Sequence, residues 1–294
     1  MRVAPWSLAN RQNRFMQFSD STQMSVLNTA INIAEETGRI LADRPESLTI
    51  ATKTSETDVV THMDELAEAH IVKALEHAFP DDGILGEEGA AKESQSGFQW
   101  VIDPLDGTIN YLYKLPAWAV SIARVDLHSG RSVIGVVCAP ALESTYFAAS
   151  GLGAFKNNLA HQLQVGSGAV LSQSLIGTGF SYQSAVRAGQ ARVLSELLPK
   201  VRDIRRIGSC AIDLCFVAEG KLDAFYERKV NLWDHAAGSL IARESGAKVS
   251  GLHQKSESYE MLVASNPVIY ADLVALLEDL NADSDSATII DRSS

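Results

Sequence analysis

Two hundred and ninety-four residues, at roughly 100–200 per domain, confine the chain to one large domain or two closely packed ones. A composition of 46% hydrophobic and 21% charged residues, with 8 Pro and 20 Gly, excludes the disordered and collagen-like classes and leaves enough apolar side chain for a sizeable core. Twenty-five basic against 36 acidic residues give a net charge of −11, which repels phosphate backbones and anionic lipid and argues against direct nucleic-acid binding or a membrane-surface role.

Residues 1–23 carry Arg2, Arg11 and Arg14 but neither the apolar core of a signal peptide nor a periodic face, and are expected to form a flexible N-terminal extension. From Val26 to Leu41 the apolar residues recur with a 3.6-residue period, and Asp43 and Pro45 close the segment: a first amphipathic helix. A second is expected from about Asp64 to Phe79, with Leu66, His70, Ile71, Ala74, Leu75 and Ala78 on one face and Pro80 and Gly83 ending it. His70 and His77 read as packing or surface residues.

Short strand-like runs follow at Trp100–Asp103, Ala119–Val125, Val133–Cys138 and Thr145–Ala148, as in an antiparallel meander. Past Gly153 a polar loop is expected through Gly168, and then the pattern alternates. Leu175–Thr178, Arg205–Ile207, Leu222–Tyr226 and Met261–Ala264 are strand-like, whereas Ser184–Leu198, Cys210–Ala218, His235–Glu244 and Pro267–Leu280 are helix-like. The expected division is an N-terminal α+β half over 24–160, a smaller C-terminal α/β half over 161–281 and a disordered polar tail over 282–294. The chain thus reads as α/β in class, a layered α+β sandwich with a largely antiparallel first sheet. No stretch approaches the ~18 consecutive apolar residues of a membrane span. Cys138, Cys210 and Cys215, an odd count in apolar surroundings, point to a reduced, cytoplasmic protein.

The string Trp100-Val-Ile-Asp103-Pro104-Leu105-Asp106-Gly107-Thr108-Ile109-Asn110 carries the chemistry. An apolar strand delivers Asp103, Pro104 fixes the turn, and Asp106 returns three residues later beside a glycine free to take positive φ. Two carboxylates converge with no Lys or Arg before Lys114, so the natural counter-charge is a hard divalent cation on oxygen ligands, with the Leu105 carbonyl completing the set. By itself the string also reads as a Pro-Leu-Asp-Gly turn in which Asp106 caps the following helix. Its company favours the metal: Gly86-Glu87-Glu88-Gly89 and Asn231-Leu-Trp-Asp234-His235 each place acids in an otherwise apolar segment. Several familiar catalytic strings fail on spacing. Asp103 and Asp106 are three apart rather than two, as an aspartyl-phosphate enzyme would need. None of the cysteines has an Arg six residues on, and neither a nucleotide-binding P-loop nor an H-E-x-x-H zinc string is present.

Glu87-Glu88 between glycines, the run WVIDPLDGTINYLYKLPAWAVSIA, the run RRIGSCAIDLCFVAEGKLDAFYE and the run WDHAAGSLIARESGAKV resemble, in order, the motif blocks of the inositol monophosphatase family, metal-dependent and lithium-sensitive phosphatases. The resemblance covers about Met24 to Leu280 and implies an α-β-α-β-α sugar-phosphatase fold, a homodimer and two or three Mg²⁺ ions per active site. It implies that Glu87, Asp103 and the Leu105 carbonyl hold one ion and Asp103, Asp106 and Asp234 a second. Glu87, Thr108 and Asp64 would orient and deprotonate the attacking water, although Asp64 also reads as a helix N-cap. The Gly107 and Thr108 N–H groups would bind phosphate, and Asp106, Ser209, Cys210, Glu227 and Asp234 would line the substrate. Cys210 stands where relatives usually carry Ala, and His235 departs from the expected apolar residue or Cys and reads as solvent-facing. The implied activity is Mg²⁺-dependent hydrolysis of a polyol phosphate monoester, foremost myo-inositol monophosphate. Fructose-1,6-bisphosphatase or histidinol-phosphate phosphatase chemistry, or a mainly protein-binding role in a transcription complex, are the alternatives.

Overall fold

The computed structural model describes residues 21–52, 59–168 and 170–284. Helix α1 (Ser21–Ala42) buries Leu27, Ala30, Ile31, Ala34 and Leu41 at helical spacing. It begins ahead of the expected boundary at residue 24, and Met24 is already buried; the remainder of the expected extension, residues 1–20, lies outside the described residues. Strands β1 (Ile50–Thr52) and β2 (Val59–Thr61) form a small antiparallel pair that leads into α2 (His62–Ala78). Thr61 caps α2, and Asp64 at the third helical position returns the bond to the Thr61 backbone, a complete capping box. That box turns Asp64 inward, so the buried face is Met63, Asp64, Ala67, Glu68, Ile71 and Leu75, and Leu66, expected inside, is 49% exposed. His70 is half-buried with Nδ1 3.0 Å from Thr37 Oγ1, and His77 is exposed.

Strands β3 (Gly83–Gly86), β4 (Ala91–Lys92), β5 (Phe98–Asp106), β6 (Ala119–Asp126), β7 (Arg131–Ala139), β8 (Ser144–Ala149), β9 (Gly153–Lys156) and β10 (Asn158–Gln162) form an eight-stranded sheet in the order β10-β9-β8-β7-β6-β5-β3-β4. Every pairing is antiparallel except β3 with β5, and the short helix α3 (Thr108–Leu112) leaves the end of β5. The polar loop expected after Gly153 contains β9 and β10. Strand β10 is an edge strand of mostly exposed polar residues, which the search for alternating apolar positions passes over.

The second sheet holds β11 (Leu175–Thr178), β12 (Asp203–Arg205), β13 (Ala224–Glu227), β14 (Lys248–Ser250) and β15 (Leu262–Ser265) in the order β12-β11-β13-β15-β14. Strand β11 runs parallel to β12 and β13, and β15 runs antiparallel to β13 and β14. Three helices join them, α4 (Ser184–Leu197), α5 (Cys210–Ala218) and α6 (Leu232–Glu244), and α7 (Tyr270–Asp279) follows β15. The strand expected at Arg205–Ile207 sits earlier, and the expected tail starts too early, since Ala282 is buried and the Ser284 carbonyl accepts from Arg228 Nη1 at 2.6 Å. Residues 285–294 lie outside the described residues.

The cores define five layers. Helices α1 and α2 pack on one face of the large sheet. Its other face meets α5 and α6, whose far sides pack on the second sheet, and α4 and α7 close that sheet from outside. Helix α5 therefore has no solvent face, and eight of its nine residues are buried. Among the described residues no helix is long and apolar enough to cross a membrane.

Candidate active site

The carboxylates converge because three elements end at one point. Pro104 has no N–H for the sheet, and the β5–β6 register shifts between Asp103 and Asp106. Asp103, 1% exposed, turns inward there and accepts the Leu105 N–H at Oδ1, 3.0 Å. Parallel pairing of β3 with β5 sets the Glu87 turn beside Asp103, with the Glu87 N–H donating to the Ile102 carbonyl at 3.2 Å. Asp234 rides on the first turn of α6, where its Oδ2 accepts the Asn231 N–H at 2.5 Å. One ligand oxygen from each of Glu87, Asp103 and Asp234 lies within 4.8 Å of the others.

Asp106 stands on the wall of the same cavity with a different set of bonds. Its Oδ2 accepts from Ser209 Oγ at 2.6 Å and from the Ala211 N–H at 2.7 Å, so it anchors the N-terminus of α5 to the end of β5. The sequence had suggested a cap for the helix beginning near Thr108; the helix held is α5, because the topology brings Ser209 to the same sheet end. Gly107 holds φ at +91°, and a Cβ there would lie 2.8 Å from the Ala117 carbonyl oxygen, so only glycine fits.

The charges on this cluster oppose one another. Burial pushes the Asp103 carboxyl well above its ordinary value, and the neighbouring Glu87, Asp106 and Asp234 add to the shift. Asp106 is pushed up to about 6 by burial, with the Ser209 bond pulling the other way. Asp234 is driven well up by burial and then by Glu87 and Asp106. A partly buried set of mutually repelling oxygens with no Lys or Arg among its leading charges has the chemistry that could hold a hard divalent cation.

Asp64 is not the N-cap of α2, which is Thr61, but its carboxylate bonds both that cap and Thr108. While Oδ2 completes the capping box, Oδ1 accepts from Thr108 Oγ1 at 3.0 Å, and the same hydroxyl lies 3.1 Å from the Leu105 carbonyl. Burial raises its carboxyl above the ordinary value, partly offset by the Thr61 bonds.

A cavity of about 440 Å³ is lined by Glu87, Asp103, Leu105, Asp106, Gly107, Thr108, Ser209, Cys210, Glu227 and Asp234; Asp64 stands behind Thr108. Glu227 ends β13 with its carboxylate laid against the Gly179 backbone, and burial pushes it up to about 7, with Arg206 opposing the shift. The neighbouring Lys229 ammonium bonds Glu260 at 3.1 Å. The Cys210 thiol lines the cavity, and burial pushes it well up. His235 is not solvent-facing: it is 5% exposed, burial pushes it down to about 4, and its Nδ1 lies 3.4 Å from Ser239 Oγ. The cause is the layer order, since α6 is covered on both sides by sheet.

Several cavity residues were not singled out beforehand: Arg206, Phe180, Tyr182, Lys229, Asn231 and Tyr259. Asn231 had a legible signal, the Asn-x-x-Asp spacing of a capping box with Asp234. Glu68 also escaped notice, although an acid one helical turn from Asp64 on an apolar stripe is itself a signal.

Fold and site together define a five-layer α-β-α-β-α protein with an acidic cradle where its two sheets' helices and strand ends meet. The chain belongs to the inositol monophosphatase family, whose model matches residues 22–287, and is on that ground a phosphoric monoester hydrolase. It is 42% identical over 241 residues to an inositol-1-monophosphatase SuhB of Mycobacterium tuberculosis, covering 79% of this chain and 82% of the relative. A Nus factor SuhB of Pasteurella multocida is 37% identical over 267 residues, covering 88% and 97% of the two chains. The solved extragenic suppressor protein SuhB of Bartonella henselae superposes with a TM-score of 0.81 at 32% identity, covering 86% of this chain and 98% of that one.

Proposed function

We propose that the protein hydrolyses the phosphate monoester of a polyol, foremost myo-inositol monophosphate, with Mg²⁺ as cofactor. The observation that carries the proposal is the convergence of half-buried Glu87 and Asp234 on buried Asp103, within 4.8 Å, in the cavity that Thr108 and Glu227 also line. Glu87, Asp103, the Leu105 carbonyl, Asp106 and Asp234 would hold the cation. When bound, Mg²⁺ supplies positive charge that acidifies an attacking water and stabilises the leaving oxygen.

The chain's own groups supply the rest. The Thr108 hydroxyl hydrogen is committed to Asp64 and Leu105, so its oxygen is left to accept from a water and orient it. Glu87 takes the proton that this water loses. The Gly107 and Thr108 N–H groups, at the start of α3 on the cavity wall, would bind the phosphate oxygens. Glu227 accepts from hydroxyls on the alcohol, and Ser209 and Cys210 close the wall beside it.

Phosphate release from myo-inositol monophosphate, fructose 1,6-bisphosphate and histidinol phosphate, each with and without Mg²⁺, tests this. Mg²⁺-dependent release with the inositol ester foremost is expected; preference for either other ester would transfer the assignment to that substrate. A transcription-complex role is supported by the relatives named Nus factors, and no release from any ester would move the function there. A homodimer in a reducing cytoplasm goes with the phosphatase proposal, supported by the family and by three buried cysteines in no disulfide among the described residues. Sedimentation at micromolar concentration checks the dimer.

A further inference from the structure

Helix α2 carries two buried acids one turn apart, and each bonds a different segment that lines the cavity. Asp64 holds the Thr108 hydroxyl. Glu68, 7% exposed, reaches the turn between β3 and β4: its Oε2 accepts the Glu88 N–H at 2.8 Å and its Oε1 accepts the Ala90 N–H at 2.9 Å. These donors flank the turn that presents Glu87, and the backbone bond from Gly86 N–H to the Ala90 carbonyl closes it at 2.7 Å. The carboxylate is packed so closely on Gly86 that a Cβ at that glycine would overlap it, so side chain and turn occupy a single fitted position. The far end of the turn, Gly89, holds φ at +112°.

From this geometry we infer that Glu68 is a positioning residue for the metal cradle, and that α2 acts as one rigid bar aligning Thr108 through Asp64 and Glu87 through Glu68. Four bonds set the alignment: Asp64 to Thr61 and Thr108, and Glu68 to Glu88 and Ala90. Residues four apart on a helix face the same side, so the helix fixes the separation of the two acids and hence of the groups they hold. Only a carboxylate accepts at both oxygens; an amide of the same size turns an NH₂ towards one of the two N–H donors and leaves it facing another donor. The inference rests on Glu87 being a ligand in the proposed phosphatase site.

Glu68→Gln and Glu68→Asp test it with two measurements. The first is Mn²⁺ binding without substrate, followed by loss of the free-ion electron paramagnetic resonance signal. The second is Mg²⁺ activation of phosphate release, with kcat and KM separated. Glu68→Gln is expected to weaken Mn²⁺ binding by about tenfold and to raise half-saturating Mg²⁺ to a similar degree, the usual size for a residue that orients a ligand from behind. The KM for the phosphate ester at saturating Mg²⁺ should stay within about twofold while kcat falls, because the substrate wall is untouched. Glu68→Asp keeps both acceptor oxygens but is too short to span both donors, and is expected to restore binding only in part. A folded Glu68→Gln protein that binds Mn²⁺ like wild type, with only its melting temperature lowered, would overturn the inference and leave Glu68 a packing residue. Should Glu68→Gln fail to fold, the Mn²⁺ titration of Glu68→Asp decides in the same way. Wild-type protein that neither binds Mn²⁺ nor releases phosphate would overturn the phosphatase site, and the inference with it.

Discussion

Asp103 is the residue on which the cluster's repulsion concentrates, since burial and three neighbouring carboxylates all disfavour its charged form. Asp103→Asn is therefore expected to abolish metal-dependent activity while leaving the metal-free fold as stable as wild type or more so. Calorimetry with and without Mg²⁺ checks this: the variant should lose the Mg²⁺-induced rise in melting temperature, and near-native turnover at saturating Mg²⁺ would refute the assignment. Glu227 gives a second prediction. Its carboxyl is pushed up to about 7, so it gains its full acceptor strength as pH rises through that value, and kcat/KM for a polyol phosphate should rise on the same limb. Glu227→Gln should remove that limb and lower kcat/KM by roughly 1–3 kcal/mol for a charge-assisted hydrogen bond. A phosphate ester without neighbouring hydroxyls should be nearly unaffected; equal losses on both would place Glu227 in the fold or the cradle instead. The acids at 87, 103, 106 and 234 were legible because each interrupts an apolar run at a turn. The burial of His235 was not, because one helix face gives no sign that a second sheet covers it.

At the scale of elements, the contact between α6 and the large sheet links stability to the site. A Cβ on Gly135 of β7 would lie 2.8 Å from the Ala237 carbonyl oxygen and 3.2 Å from the Ala237 Cα, backbone atoms that cannot swing aside. Gly135→Ala should therefore push α6 off the sheet and cost about 1–3 kcal/mol, the range for overpacking a filled interior. Asp234 lies on the same helix, so turnover should fall together with the melting temperature. Thermal melts and kcat of the same preparation decide it, and a stable variant with full activity would show that α6 does not set the Asp234 position. Strands β5 to β8 and helices α1 and α5 were readable from periodicity, since each buries a continuous apolar face or run, whereas α2 was found with its buried face misjudged because two acids lie on it. Strands β9 and β10 were not: β9 has four residues and β10 is exposed, so neither offers enough apolar positions to show a period.

For the whole molecule, the acidic cavity sets how stability responds to pH. Asp106, pushed up to about 6, and Glu227, pushed up to about 7, both lie above ordinary carboxylate values, so the folded metal-free protein takes up protons more readily than the unfolded chain. Their contribution is complete below the ordinary value near ~4 and is lost as pH rises through about 6 and 7. The metal-free melting temperature should accordingly fall between pH ~5 and ~8. Saturating Mg²⁺ should flatten the fall, adding roughly 2.7 kcal/mol at a hundredfold excess over its dissociation constant. Melts at several pH values with chelator or with Mg²⁺ measure this, and parallel curves would mean that the cation does not bind among these acids.

The sequence alone determined the local terms: which segments are amphipathic, where Pro104 and Gly107 break the strand, and which short strings set acids against apolar runs. Those follow from residues within a few positions of one another, where propensity and periodicity act. The tertiary structure decided the partners. Asp106 caps a helix 105 residues away, Glu68 holds a turn 20 residues on, and α6 disappears between two sheets. A period in the sequence says that a face is apolar; what covers it depends on how the strands are ordered, and that order is a property of the packed chain.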